Sequence, residues 1–259
     1  MHTEFLRPLR HLVVLLLTLH AAVMAAADFD HTHAGFARVL AANVTNGVVD
    51  YAALKAVQAE LDSYLAGLSA VPRDEFGKWS RDQWLAFLIN LYNAATLKLI
   101  VDHHPVASIR KIGGLLKGPW KQEVVGFQSG RITLDRLEHE LIRPVFAEPR
   151  IHFALVCAAR SCPPLRSEPF VAARLGAQLD DQARVFLAQS AKNRIDRAAK
   201  TLWLSPIFDW YASDFTQGGR PLVEYVADFL PPEDATELRT GSYRIRHTDY
   251  DWTLNDRAK

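Results

Sequence analysis

The chain has 259 residues, with 30 Lys and Arg against 29 Asp and Glu, and 49% of it is hydrophobic. Balanced charge without a basic stripe or block speaks against a nucleic-acid partner, and the apolar content is far above that of a disordered chain. Two cysteines allow one intramolecular bridge, a staple that a chain able to bury a full core does not need.

The first 27 residues read as a secretory signal peptide. Arg7, Arg10 and His11 make a basic start, Leu12 to Val23 is an apolar run, and Ala25-Ala26-Ala27 fits the small-x-small rule with cleavage before Asp28. The run is shorter than the roughly 20 apolar residues a span needs, and no cysteine follows it to carry a lipid. A periplasmic or secreted protein without a stable membrane span is expected, with residues 28–259 forming a single globular domain.

In chain order, His31 to Ala42 is predicted helical, and Asn46-Gly47 is a turn before a strand Val48 to Tyr51. Apolar spacing at Leu54, Val57, Leu61, Leu65 and Leu68 predicts a helix over 52–68, ended by Pro72. Ser80 and Gln83 form a capping box opening a helix to about His103 that is apolar almost all round, the expected central buried helix. Asn90 and Asn93 on it need buried partners, either as anchors for the His152 segment or as donors in a site. Glu123–Phe127 and Arg131–Leu134 predict a hairpin, and Asp135 with Glu138 a capped short helix. Arg150–Cys157 is predicted as a strand, Phe170–Ser190 as a helix, Arg194–Asp196 with Thr201–Leu204 as a second hairpin, and Leu222–Leu230 as a short helix. The fold class is α+β: helices packed around a small, mostly antiparallel sheet.

Residues 149–165 concentrate the chemistry. They hold both cysteines, Cys157 and Cys162, with His152 upstream and Arg160 between the thiols. A thiol with a pKa near 8.5 needs a cation, a base or a helix N-terminus to become a nucleophile. Cys162 before Pro163 is placed for a helix N-cap, and Cys157 for a strand end. On a strand His152 and Cys157 stand roughly 16 Å apart, so a Cys–His pair needs the 157–162 loop to fold back. In an exported chain the pair is also free to oxidise to a short structural bridge. His139, His152, Cys157 and Cys162 make a chemically sound metal set with unfamiliar spacing. Glu138 and His139 face different sides of their helix, so one of them turns inward. His31 and His33 read as a frayed terminus, His103-His104 as a solvated helix end, and Trp210, Tyr211 and Asp214 as loop packing or a pocket wall.

The strings Ala86-Phe87-Leu88-Ile89-Asn90-Leu91-Tyr92-Asn93-Ala94, Leu137-Glu138-His139, Pro149 to Leu155 with Cys157 to Pro164, and Ser205 to Tyr211 with Asp214-Phe215 occur in this order. Together they resemble the domain-of-unknown-function family 547 over roughly residues 48–230. The resemblance implies a grouping without an activity. It extends distantly to papain-like or transglutaminase-like cysteine enzymes, with a departure: the central helix opens at Ser80 without a cysteine and the thiols follow His152, so either the elements are permuted, or the site is built differently, or the fold is shared without the chemistry. The candidate catalytic residues are Cys157, Cys162, His152, Glu138 and His139. The expected chemistry is hydrolysis or acyl transfer at an amide or thioester of a small-molecule or peptide substrate, with no cofactor. The competing readings are a non-catalytic binding or scaffold domain with a structural Cys157–Cys162 pair, and a metal-binding protein.

Overall fold

The computed structural model describes residues 28–257 apart from 115, 116 and 129. The segment read as a signal peptide lies outside the described residues.

Helix α4, Arg81–His103, is the axis of the fold. The Ser80 hydroxyl accepts the Gln83 backbone N–H at 3.2 Å, and the Gln83 side chain accepts the Ser80 N–H at 2.8 Å, completing the predicted capping box. The helix is long and apolar enough to cross a membrane by composition, yet 89% of that stretch is buried inside the protein. Helices α1 (Ala34–Asn43), α2 (Tyr51–Ala56) and α3 (Gln58–Ser69) cover one side of this core. The helix predicted over 52–68 is two helices, because exposed, β-branched Val57 leaves the helical region.

Strands β1 (Val44–Thr45) and β2 (Val48–Val49) close through Asn46 and Gly47, both at positive φ. This is the conformation Asn-Gly supplies at least strain. Gly47 is required a second time: a Cβ there would stand 2.3 Å from the Pro164 Cβ. The hairpin β3 (Val125–Phe127) and β4 (Gly130–Ile132) follows. A helical run comprises α5 (Leu134–Arg136), a π segment (Leu137–Ile142) and α6 (Arg143–Phe146). Its cap is the Thr133 hydroxyl, which accepts the Arg136 N–H at 2.9 Å, in place of the predicted Asp135–Glu138 box.

Helix α7, Ile151–Ala154, replaces the predicted strand over 150–157. Pro149 begins the turn, and Leu155 N–H reaches the Ile151 carbonyl at 2.8 Å. Burial explains the error. Ile151 and Ala154 join the core around α4, while Phe153 joins a second core with Phe186, Phe208 and Phe215. A segment buried on every side shows neither a helical nor a strand period. His152 therefore sits between the two cores.

Helix α8 (Leu175–Leu187) precedes a three-stranded sheet ordered β5 (Arg194–Asp196), β6 (Thr201–Leu204), β7 (Arg244–His247). The β5–β6 pair is antiparallel as predicted. Strand β7 pairs parallel to β6, with Leu202 opposite Ile245, and was not predicted; it is too exposed to alternate. The connection between them carries α9 (Ile207–Trp210), α10 (Ala212–Phe215), α11 (Leu222–Ala227) and α12 (Pro232–Thr240). The result is α+β with small sheets. The tail then threads back: Val49 N–H donates to the Asn255 carbonyl, Arg160 N–H to Thr253 and Leu254 N–H to Ala107.

Candidate functional site

The path from His152 to the cysteines is fixed from α4. The Asn93 amide donates to the Ala154 carbonyl at 2.9 Å, and its oxygen accepts the Val156 N–H at 3.0 Å. Asn90 makes the same paired contact with the Phe170 backbone, at 2.7 and 3.0 Å. Both amides are anchors, fully used by backbone groups that would otherwise be orphaned.

Beyond this clamp the chain turns into a cavity of about 370 Å³. All five predicted site residues, Cys157, Cys162, His152, Glu138 and His139, line it. The walls come from Trp210 and Tyr211, which the sequence offers as loop packing or a pocket wall, and from Tyr92 on α4, Trp120, and Tyr250 and Trp252 of the tail, which it does not single out. The aromatic rings meet one another, with Tyr250 4.5 Å from Trp252 and Trp210 4.8 Å from Tyr250 between centroids. A tyrosine on a buried helix must find a polar partner for its hydroxyl, so Tyr92 carried a legible signal as well.

The two cysteines are joined. Cys162 is buried and Cys157 half-buried. The Cys157 N–H lies 2.7 Å from the Cys162 sulfur, and the Tyr250 hydroxyl lies 3.1 Å from the Cys157 sulfur. No helix follows Pro163, so the expected N-cap position of Cys162 is absent; the Cys157 N–H is the donor at that sulfur. Arg160 is exposed and lines a second cavity, of about 820 Å³, on whose wall Cys162 also lies. It does not line the first cavity.

His152 is almost fully buried. Its Nε2 is 2.7 Å from Asp214 Oδ2, and its ring stacks on Tyr211 at 3.8 Å. Arg143 grips the same carboxylate through Nε and Nη2 at 2.7 and 2.9 Å. The His152 hydrogen bond, aided by Arg143, holds the Asp214 carboxyl well below the usual range against its burial. Burial lowers the His152 pKa, offset in part by Asp214 and Glu138. A neutral imidazole donating Nε2–H to a carboxylate keeps its lone pair on Nδ1, the form a general base requires.

Glu138 turns inward and His139 outward. Tyr92 and Tyr211 direct their hydroxyls to the buried Glu138 carboxylate, and both phenols are raised above their ordinary values, first by burial and then by that charge. His139 is exposed at the rim. Its Nδ1 accepts from Arg143 Nη1 at 2.7 Å, and its Nε2 is 3.6 Å from Asp135. Arg143 thus links the rim histidine to Asp214 and through it to the buried His152, a role the sequence reading missed although His139 and Arg143 have helical i, i+4 spacing. Among the described residues no group of three or more His, Cys, Asp or Glu side chains is arranged to hold a metal ion.

Residues 76–187 match the family model described as "Protein of unknown function, DUF547". No curated protein and no solved structure matches the chain, so the likeness to papain-like or transglutaminase-like enzymes rests on the sequence argument alone.

Proposed function

From a chain whose residues 76–187 match the DUF547 family model, we propose an exported protein that performs thiol-dependent hydrolysis or acyl transfer at an amide or thioester. The observation that carries this reading is the sharing of one cavity by both cysteines and the buried His152, whose Nε2 is held by Asp214. In the joined state neither sulfur is a nucleophile, so the reduced protein is the active form. Cys157, the less buried thiol, attacks the acyl carbon. Its proton passes to His152 Nδ1 and then to the leaving amine or thiolate, and water releases the acyl group from sulfur. Asp214 fixes the tautomer and stabilises the imidazolium, while Glu138 and the tyrosines orient the substrate.

The test is acyl release from an acetyl thioester and an acetyl anilide by reduced and oxidised protein. Turnover is expected only after reduction. Cys157→Ser is expected to abolish it, and His152→Ala to lower it about 10²–10⁴-fold, the usual range for a general base. Reduced protein without turnover, with both thiols alkylating as ordinary thiols of pKa near 8.5, would refute the reading. The second reading is a non-catalytic binding domain with a structural pair. It is favoured by the burial of Cys162 and by the aromatic walls of the cavity.

Export is part of the proposal and has its own check. Protein recovered from the periplasm or medium is expected to begin at or near Asp28; full-length chain retained in the cytosol would defeat it.

A further inference from the structure

The Cys157–Cys162 bridge is poorly placed to be a staple. The residues it spans are already held by main-chain bonds: Arg160 N–H to Thr253 O at 2.8 Å, Ser161 N–H to Asp251 O at 3.2 Å, and Asn255 N–H to Ala158 O at 3.0 Å. The bridge closes a sequence separation of only 5. The loop so constrained is short, where cross-linking removes least entropy from the unfolded chain. Both cysteines also line a cavity, Cys162 from the edge of the core around α4 and Cys157 packed against it.

Three features suit the pair to reaction. The two sulfurs differ in access, Cys157 being half-buried on the cavity wall and Cys162 buried. The more buried sulfur has a donor waiting, the Cys157 N–H at 2.7 Å, which favours its departure as a thiolate. The accessible sulfur has the Tyr250 hydroxyl at 3.1 Å, and burial raises that phenol so that it stays protonated at neutral pH and able to donate.

We infer that the oxidised pair is itself a thiol–disulfide exchange site, attacked at the Cys157 sulfur by a dithiol small or extended enough to enter the aromatic cavity. One thiolate of the dithiol forms a bond to the Cys157 sulfur as the Cys157–Cys162 bond breaks. The electron pair leaves on the Cys162 sulfur, beside the Cys157 N–H. The second thiolate of the dithiol then attacks the dithiol's first sulfur, forming a disulfide within the dithiol as its bond to Cys157 breaks and the Cys157 thiolate leaves. Two electrons pass from the dithiol to the pair, and the two cysteine sulfurs take up the protons the dithiol loses. Run backwards, the same steps reduce a disulfide to a dithiol and re-form the Cys157–Cys162 bridge. The inference stands without acyl chemistry, although it supplies the reduced thiols that chemistry needs.

The test uses oxidised native protein with dithiothreitol and, separately, with a peptide containing Cys-x-x-Cys, read by acid quench, alkylation and intact mass. The expected result is reduction without denaturant at a rate proportional to dithiol concentration. A rate independent of dithiol and accelerated by urea would mean that the bridge opens only on unfolding, and would overturn the inference. Single-cysteine variants locate the attack. Cys162→Ser is expected to form a mixed disulfide with a disulfide-bearing peptide at least tenfold faster than Cys157→Ser. Equal or reversed rates overturn the assignment of Cys157, and wild-type kinetics remain decisive if either variant fails to fold. Dithiothreitol reacting while the peptide does not makes the partner a small dithiol. Exchange without acyl release separates this site from the hydrolase reading.

Discussion

His152 and Asp214 stand 62 residues apart in the chain and meet through Nε2 and Oδ2 at 2.7 Å. One comes from the short helix between the two cores, the other from the crossover between β6 and β7, and Arg143 closes the contact from a third element. No local pattern announces such a pairing.

Asp214→Asn is expected to destabilise the protein by about 1–3 kcal/mol at neutral pH, the range for losing hydrogen bonds to a charged group. The sign with pH follows from the Asp214 carboxyl, which is held below its ordinary value. Its contribution is present above about pH 4, the unfolded value, and is lost as pH falls below it. Urea denaturation from pH 7 to pH 3 is expected to show a shallower acid loss in the variant than in wild type. Parallel curves would mean that the pair carries no net stability.

Leu88→Ala is expected to cost about 2–5 kcal/mol by chemical denaturation, the range for truncating a fully buried leucine. Leu88 lies on α4 with no exposed surface. A loss below 1 kcal/mol would mean that α4 is not the centre of the core.

The fold was legible where one principle acts alone. The Ser80–Gln83 box marks the start of α4, Asn46-Gly47 marks the turn between β1 and β2, and the β5–β6 hairpin joins two strands that are neighbours in the chain. It was illegible where tertiary contacts decide. The helical turn at His152 is buried on all sides, and β7 is mostly exposed, so neither carries a period. For the site, the residues that bear reactive groups were visible by type, and all five meet at one cavity. Their partners were not. Tyr250 and Trp252 line the cavity from the tail, and Asp214 reaches His152 from the β6–β7 crossover, through chain crossings that leave no local trace; of Arg143 only the i, i+4 spacing to His139 was visible. Asn93 was visible as a buried amide needing partners, though not which partners.

Asn93→Leu tests that clamp. The change removes an amide of similar volume and leaves the Ala154 carbonyl and the Val156 N–H buried without partners. Each orphaned group costs about 1–3 kcal/mol, so a total of about 2–6 kcal/mol is expected by thermal or urea denaturation. The turn it holds links His152 to Cys157, so amide exchange of Leu155 to Cys157 is expected to speed up more than that of α8. Uniform acceleration would assign Asn93 to general core packing.

His33 carries the last expectation, which concerns acid. It is buried at the start of α1, its Nδ1 2.7 Å from the Tyr64 hydroxyl. Burial lowers its pKa to about 4, and the neighbouring His31 adds to the shift against a smaller opposing pull from Asp30. In the unfolded chain a histidine titrates near 6.5. Between those values the unfolded state holds one more proton than the folded state, so stability falls as pH falls. The contribution is complete above pH 6.5 and shrinks by about 1.4 kcal/mol per unit toward pH 4, roughly 2–3 kcal/mol by pH 4.5. His31 and His152 shift in the same direction, so wild type loses more than this single share. His33 also occupies a left-handed backbone position, with φ 53°. Asparagine tolerates that region and does not titrate, which makes His33→Asn the informative substitution. The variant is expected to be less stable at pH 7, having lost the ring packing and the Tyr64 contact. Its further loss between pH 7 and pH 4.5 should be about 2–3 kcal/mol smaller than that of wild type, read from urea midpoints at the two pH values. An unchanged loss would mean that His33 accepts its proton in the folded state as readily as in the unfolded chain.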